Sequence, residues 1–381
     1  MISYFDHNAT SPVSPEALSA MTAAARDAFG NPSSIHTPGQ AARQLVEQAR
    51  AEVAALLNAS PKEIVFTSGG TEADNLALFG VEARHIIVSA IEHPAVLAAA
   101  AELKRRGVAV SIAPVNGDGV VDLEALRAML RPETGLISVM HANNETGAVQ
   151  PIAELAQLAR GAGALLHSDG VQAAARLPVN VKALDVDLYS LSGHKMGAPK
   201  GVGALYVRDG VKVRGQLFGG RHERERRAGT ENVPGIAALG AAASWLRVHR
   251  EQESARVAGL RGRLEQGVLA RIPHTRVNAA AAPRVPNTTN LLFEGIEGEA
   301  LVIALDLAGF AVSTGAACSS GAVAPSHVLL AMGLAASQAR ACLRFSLGRG
   351  NDEKQVDALL DALDRAAARL RKLSPVYSHA H

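Results

Sequence analysis

Between residue 60 and about residue 210, short β-rich runs alternate with segments of helical periodicity. A chain that alternates in this way forms βαβ units, whose strands lie parallel in one sheet with helices on both faces. The pattern therefore predicts an α/β fold built on a mainly parallel sheet. The predicted strands are EIVFTS, HIIVSA, VAVSIAPV, LISVMH, ALLHSD, DLYSLSG and VGALYVR, and helices are predicted from Glu72, Pro94 and Pro151.

Polar residues follow the ends of these predicted strands. Parallel strands bring their carboxyl ends to one edge of a sheet, which is where α/β proteins bind their ligands. We therefore expect one group of side chains to lie along this edge: Thr67, Ser68, His93, Asn143, Asn144, Asp169 and Ser192 to Lys195.

The sequence changes in character from about residue 253. A charged amphipathic helix is followed by the breaker-rich segment AAAAPRVPNTTN, the β-rich runs TNLLFE and CLRFSL, a helix from Glu297 to Leu307 and a final helix after Asn351. A chain of 381 residues is also longer than one core normally supports. We assign residues 14–252 to a large domain, and residues 1–13 with 253–381 to a smaller α+β domain.

Composition argues against several kinds of partner. The 38 Lys and Arg residues nearly balance the 36 Asp and Glu residues, and aromatic residues make up only 3% of the chain. Such a chain offers neither a strongly basic surface nor a stacking platform, so we expect no nucleic acid and no membrane as partner. The sequence has no long apolar run and no N-terminal leader pattern, so a cytoplasmic location is expected.

The histidines and one basic run do not indicate further ligand-binding sites. The thirteen histidines are scattered and form no HExxH pattern, so no metal is expected. The basic run RHERERRAGTEN contains interleaved glutamates, which indicates a solvated loop or a subunit interface.

Three motifs together indicate the chemistry. SGGTEADN places Thr71 at a helix start, where free N–H groups bind anions. SDGVQ ends a strand with Asp169, and SGHK places Lys195 in a polar loop with Ser192 and His194. Taken singly, each has an ordinary alternative, namely a capped glycine turn, a helix-capping aspartate and a solvated loop lysine. Together they provide the phosphate cradle, the pyridinium partner and the Schiff-base lysine that pyridoxal phosphate requires.

Three further polar residues are candidates for the same site. His93, in SAIEHPAV, follows a strand end, where an imidazole can stack on a flat cofactor and transfer protons. Asn144 and Arg344 are candidates for holding a substrate carboxylate, because a guanidinium matches that group in shape. The alternatives are a turn histidine before proline and a strand arginine that faces solvent.

The two cysteines lie in contrasting surroundings. Cys342 belongs to the apolar run ACLRF, which indicates a buried structural residue. Cys318 lies in STGAACSSGAVAPSH, where small residues favour an exposed, mobile loop, and an exposed thiol that ionises is a nucleophile. Two cysteines are too few for a disulfide framework, so we expect the role of Cys318 to be chemical.

The full set of motifs resembles one known family. In chain order the motifs are DHNAT, FGNPSSIH, IVFTSGGTEADN, EHPAVL, NNETG, SDGVQ, SGHKMGAPKG, RAGTEN, STGAACSSG and LRFSLGR. They are similar to those of the cysteine desulfurases of the NifS and IscS type, over roughly residues 4 to 375. The resemblance implies a PLP-dependent transferase of fold type I, with the class V aminotransferase fold and with pyridoxal 5'-phosphate as cofactor.

The resemblance also implies a role for each matching residue. Lys195 matches the lysine that binds the cofactor covalently, and Cys318 matches the cysteine that becomes a persulfide. The matches to phosphate ligands are Gly70, Thr71, Ser192, His194 and, from the neighbouring subunit of a homodimer, Thr230. The matches around the cofactor ring are Asp169 at its nitrogen, Gln172 at its phenolate oxygen and His93 stacked on it, while Asn144 and Arg344 match the ligands of the substrate carboxylate.

The implied reaction converts L-cysteine to L-alanine and passes the sulfur, through Cys318, to an acceptor protein for iron–sulfur cluster assembly or thiolation. Gly170 departs from the family pattern, in which alanine commonly follows the aspartate. A selenocysteine lyase or another class V aminotransferase would need the same lysine and aspartate, and Cys318 disfavours only the aminotransferase. A sulfur carrier without catalytic activity is the alternative from another class.

Overall fold

The central element of the fold is a seven-stranded sheet. The structure is a computed structural model and describes residues 2–315 and 324–373. The sheet has the strand order β2-β8-β7-β6-β5-β3-β4. Its strands are β2 Ile64–Thr67, β3 His85–Ser89, β4 Ala109–Ala113, β5 Thr134–Ser138, β6 Leu165–Asp169, β7 Leu188–Ser192 and β8 Gly203–Val207.

The sheet is parallel except at one strand. Strand β8 runs antiparallel to both of its neighbours, β7 and β2, whereas the remaining pairings are parallel. Nearly every residue of β2, β3, β5, β6, β7 and β8 is buried, because helices cover both faces of the sheet. The predicted α/β architecture and all seven predicted strands are therefore confirmed.

Helices connect and cover these strands. The described helices are α1 Pro15–Asp27, α2 Thr37–Leu57, α3 Gly70–Gly80, α4 Pro94–Arg105, α5 Leu123–Ala128, α6 Ile152–Gly161, α7 Val233–Arg271, α8 Gly298–Leu307, α9 His327–Ala331, α10 Ala336–Arg340 and α11 Glu353–Leu373. Helices α1 and α2 pack on α7. Helix α3 begins two positions before the predicted Glu72. Within the described ranges, none of the helices combines the length and the apolar character needed to cross a membrane.

A second, antiparallel sheet forms from the C-terminal part of the chain. It has the order β12-β10-β9, with strands at Thr275–Val277 (β9), Thr288–Phe293 (β10) and Cys342–Ser346 (β12). The N-terminus joins this region, because β1 (Ser3–Tyr4) pairs in parallel with β11 (Phe310–Ala311). Phe5 is fully buried in the core that β10, β12, α8 and α11 share.

Helix α7 passes from one core to the other. Its N-terminal half packs into the core of the large sheet through Val233, Leu239 and Leu246, and its C-terminal half packs into the second core through Val257 and Leu264. The charged helix predicted after residue 253 is therefore the second half of a continuous 39-residue helix. The division of the chain into domains after residues 13 and 252 stays a prediction.

Candidate active site

Lys195 lies just beyond the carboxyl end of β7. It closes the short turn Gly193–Lys195, and its Nζ donates hydrogen bonds to the main-chain oxygens of Asn8 (2.5 Å) and Ala9 (2.6 Å). Burial lowers the pKa of Lys195 to about 8, and the nearby Arg344 charge acts in the same direction. At a pKa of about 8 roughly a tenth of the lysine is neutral at pH 7, far more than at its ordinary pKa of 10.5, and only the neutral amine is a nucleophile. The alternative of a solvated loop lysine is wrong.

Asp169 is the last residue of β6 and is buried. Burial raises its pKa, while the positive charges of His93 and Lys195 and a hydrogen bond from the Val171 main chain favour ionisation. That bond, from Val171 N to Oδ1 at 2.9 Å, closes a turn, and no helix follows Asp169 before β7 in the described chain, so the structure does not support the alternative of a helix-capping aspartate. Because a buried carboxylate stays charged only beside a cation, Asp169 suits a protonated ring nitrogen.

The start of helix α3 forms a narrow cradle. A Cβ atom on Gly70 would lie 2.9 Å from Val171 Cγ2 and 3.4 Å from Ser192 Cβ, so only glycine leaves this space open. Ser192 is buried at the end of β7, and Thr71 is exposed in the first helical turn. Helix N–H groups beside hydroxyl groups bind phosphate, and an open space at this point lets a phosphate approach the backbone.

Gln172, His93 and His194 lie around this cradle and the lysine. Gln172 Nε2 donates to the Asn8 carbonyl (3.1 Å), which is the oxygen that Lys195 also contacts. His194 Nδ1 lies 3.1 Å from the Thr10 hydroxyl, and burial lowers the pKa of His194 to about 4.

His93 caps helix α4. Its Nδ1 accepts a hydrogen bond from Ala95 N at 3.1 Å, so the predicted alternative of a turn histidine describes part of its role. The side chain is exposed in the single chain, yet the surrounding protein displaces enough water to lower its pKa. Lys195 lowers this pKa further and Asp169 opposes the change. His93 therefore keeps Nε2 available for another partner, in a ring that is mainly neutral near pH 7.

Arg344 occupies the middle of β12 and is buried, so the alternative of a solvent-facing arginine is wrong. Its Nη2 donates to Asp6 Oδ1 (2.6 Å) and its Nη1 to the Asn144 carbonyl (3.1 Å). Its Nε is buried and has no hydrogen-bond partner in the described structure. A buried donor without an acceptor is costly, so the guanidinium is suited to receive a carboxylate.

Sequence reasoning assigned no role to two acidic residues beneath this site. Asp74, from SGGTEADN, is fully buried, and desolvation together with the charge of Asp169 raises its pKa. Glu92 accepts a hydrogen bond from Ser89 and has its pKa raised to about 8 by burial. Neither motif had a feature that distinguishes a buried acid from a solvated one.

The remaining candidates lie elsewhere or outside the described residues. Thr230 is exposed and lines, with Thr67 and Ser68, a cavity of about 110 Å³. Cys318 lies outside the described residues, so its role stays a prediction. Cys342 is buried, and burial raises its pKa to about 12, which confirms the structural role predicted for it.

The residues that the structure brings together fit pyridoxal phosphate. The space at Gly70 accepts a phosphate, Asp169 needs a cation, and Lys195 supplies a partly neutral amine whose charge interacts with that of Asp169. A dinucleotide would instead need a Gly-rich fingerprint that the sequence lacks.

Comparisons with known proteins agree with this geometry. The Aminotransferase class-V family model matches residues 3–359. A cysteine desulfurase of Trichormus azollae is 48% identical over 377 residues, which cover 98% of this chain and 94% of the relative.

Two solved structures are also similar. A NifS-like protein superposes with a TM-score of 0.91 at 36% identity and covers 97% of this chain and 100% of its own. The structure titled SspA in complex with cysteine has a TM-score of 0.79 at 32% identity and covers 91% of this chain and 99% of its own. With a match of this extent to the family model and to full-length relatives, the chain belongs to the class-V aminotransferase family, in the group that contains the cysteine desulfurases.

Proposed function

We propose that this protein is a pyridoxal phosphate-dependent cysteine desulfurase, which converts L-cysteine to L-alanine and places the sulfur on Cys318. The observation that carries the proposal is the position of Lys195, with a pKa of about 8, beside the buried Asp169 at the carboxyl edge of the sheet. The names of the full-length relatives support the choice of L-cysteine over other amino acids.

Lys195, Asp169, Gln172, His93 and the Gly70 cradle would hold the cofactor. When bound, pyridoxal phosphate supplies an electron sink for the Cα–H bond of an amino acid. Asp169 would accept a hydrogen bond from the ring nitrogen and keep it protonated, because a buried carboxylate favours an adjacent cation. The start of α3, with Ser192, His194 and Thr71, would hold the phosphate.

The substrate would be held through its carboxylate. Arg344 presents its unpaired Nε, while Asp6 and the Asn144 carbonyl fix the plane of the guanidinium. With the carboxylate fixed, the amine of Lys195 removes the Cα proton, which requires the neutral form of the lysine. His93 would stack on the ring and transfer a second proton.

Sulfur transfer to Cys318 would then follow. The Cys318 thiolate attacks the substrate sulfur, an S–S bond forms, and the Cβ–S bond breaks with its electron pair left on carbon. A proton on that carbon gives the methyl group, return of a proton from Lys195 to Cα completes alanine, and Cys318 carries the persulfide. The terminal sulfur leaves to an acceptor protein or, in the presence of a thiol reductant, as sulfide.

The proposal includes a homodimer with shared sites. Thr230 is exposed, so it is free to reach the phosphate bound by a second subunit. A sulfur-acceptor protein and a cytoplasmic location are also part of the proposal, as expected from the sequence.

The deciding experiment measures alanine and sulfide released from L-cysteine in the presence of dithiothreitol. We expect equal amounts from the parent protein, and neither product from Cys318→Ala. Cys342→Ala is the matched control, because its thiol is buried and has a pKa near 12, and it should still form both products in equal amounts. Undiminished turnover in Cys318→Ala, or no alanine from the parent, would overturn the proposal.

A further inference from the structure

A second cavity lies next to the active site but is lined by other residues. It has a volume of about 380 Å³ and is lined among others by His7, Arg176, Trp245, Arg250 and Leu347; we call it the Trp245 cavity. Of the cofactor- and substrate-binding residues proposed above, only Lys195 contributes to its lining. Its volume falls in the range of about 300–1,000 Å³ that is typical of small-molecule sites.

The cavity carries unbalanced positive charge. Arg176 has buried Nε and Nη2 atoms that find no hydrogen-bond acceptor in the described structure. Arg250 has a long contact from Nη1 to the Ala174 carbonyl (3.4 Å). Burial lowers the pKa of both arginines, that of Arg176 to about 10. A buried guanidinium such as that of Arg176, with the partly buried Arg250 beside the same cavity, is costly unless an anion joins it.

The acidic residues near the cavity are already paired. Glu253 is the one acidic residue among those that line it, and both of its oxygens accept hydrogen bonds from Arg256 (2.8 and 2.9 Å). Arg349, a further lining cation, is paired with Glu16 (2.9 Å). His7 adds no charge near neutral pH, because burial lowers its pKa to about 3. The Glu253 charge still favours the charged form of Arg176, but within the described residues no carboxylate accepts a hydrogen bond from Arg176 or Arg250.

The rest of the wall is largely apolar. Trp245, Leu246, Val257 and Leu347 line it, and the Arg349 guanidinium lies 4.2 Å from the centre of the Trp245 ring. A fully hydrated inorganic anion would leave these apolar surfaces in contact with water. A ligand with both a carboxylate and an apolar body would satisfy the arginines and cover the wall.

We propose that the Trp245 cavity binds a small organic acid, with its carboxylate on Arg176 and Arg250 and its apolar part against Trp245 and Leu347. The cavity shares Lys195 and the turn after it with the active site, so a bound acid would contact the loop that carries the lysine. This inference does not depend on the proposed desulfurase activity.

Trp245 is the one tryptophan of the chain, so its fluorescence reports on this cavity. The full-length protein, loaded with pyridoxal phosphate, would be titrated with hexanoate, with the uncharged hexanamide and with inorganic phosphate. We expect a saturable change with hexanoate, and binding at least about tenfold weaker for hexanamide and phosphate, which is roughly 1.4 kcal/mol.

Substitutions would show whether hexanoate binds in the Trp245 cavity. Arg176→Met and Arg250→Met should each weaken hexanoate binding at least about tenfold, and the second serves if the first does not fold. Arg247→Met is the matched control, because Arg247 lies on helix α7 like Arg250 but is exposed and does not line the cavity. This variant should bind hexanoate like the parent protein. Arg344→Lys should also bind normally, which separates the cavity from the active site.

The proposal fails if hexanoate gives no saturable change, if hexanamide or phosphate binds equally well, or if Arg344→Lys rather than Arg176→Met abolishes binding. None of these fluorescence measurements depends on turnover of L-cysteine. The test therefore stands whether or not the proposed desulfurase activity is observed.

Discussion

Asp6 Oδ1 lies 2.6 Å from Arg344 Nη2, although 338 residues separate the two in sequence. The contact orients the guanidinium that we propose as the carboxylate ligand. Asp6→Ala removes the acceptor and should raise KM for L-cysteine about tenfold, because a hydrogen bond between charged groups contributes about 1.5–3 kcal/mol. Steady-state kinetics would check this, with kcat expected to change little.

Asp6→Asn is the control for orientation. It keeps an oxygen acceptor for Arg344 but removes the competing negative charge, so its KM should stay near or below the parent value. An equal rise in KM for the Asn and Ala variants, or a change confined to kcat, would contradict an orienting role for Asp6.

The pKa of Lys195 leads to a pH prediction. Burial and the Arg344 charge lower this pKa from 10.5 to about 8. The amine becomes a nucleophile only after losing its proton, so uptake of pyridoxal phosphate by the cofactor-free protein should speed up as the pH rises through about 8 and then level off. The growth of visible absorbance after mixing would give the rate at each pH.

Two variants test whether Lys195 sets the pH at which the rate of cofactor uptake is half-maximal. Asp6 raises the pKa of Lys195, so Asp6→Asn should move the midpoint to lower pH. Lys195→Ala should show no covalent uptake at any pH. A midpoint near the ordinary lysine value would show that the amine is solvated, contrary to the structure.

The parts of the site that follow strands could be predicted from sequence. Asp169 and Lys195 end or follow buried strands, and topology alone brings such positions to one edge. Asp6 and Asn8 had no such signal, because their partners lie on the far end of the chain. Their contacts depend on tertiary packing, which a local pattern does not encode.

The charge pattern did not identify one buried acid. Glu223, in the run interpreted as a solvated loop or a subunit interface, is buried and accepts hydrogen bonds from Arg50 (2.7 and 2.8 Å), which lies 173 residues earlier. The change in sequence character near residue 253 lies where helix α7 passes from one hydrophobic core to the other. A charged residue can be buried wherever a distant partner compensates it.

His93 is expected to have separable structural and chemical roles. Its Nδ1 caps helix α4 through Ala95 N, and asparagine is a good substitute at such a position. His93→Asn should therefore keep thermal stability but lose about 10²–10⁴-fold in kcat, because the transferable proton is gone. His93→Ala should lose activity and also about 1 kcal/mol of stability. Equal melting temperatures for both variants would contradict the cap, and parental kcat in His93→Asn would contradict the chemical role.

The Tyr189 ring leaves no room for a side chain at Gly170. A Cβ atom at Gly170 would collide with the Tyr189 ring, which is fully buried and whose hydroxyl lies 2.8 Å from His141 Nδ1. The backbone has little freedom to retreat, since Gly170 N donates to the Ser190 carbonyl (3.1 Å). Gly170→Ala should therefore reduce the free energy of unfolding by about 1–3 kcal/mol, as overpacking does. Urea denaturation would measure the change.

A second substitution tests whether the ring is the cause. Tyr189→Leu removes the colliding ring atoms, so the double variant with Gly170→Ala should be more stable than the sum of the single changes predicts, by at least about 0.5 kcal/mol. Tyr189→Phe keeps the ring and removes only the hydroxyl, so it should give no such rescue. Rescue by Tyr189→Phe as well would place the conflict at the hydroxyl and its contact with His141. Strictly additive effects in both double variants would mean that glycine is needed for a reason other than Tyr189.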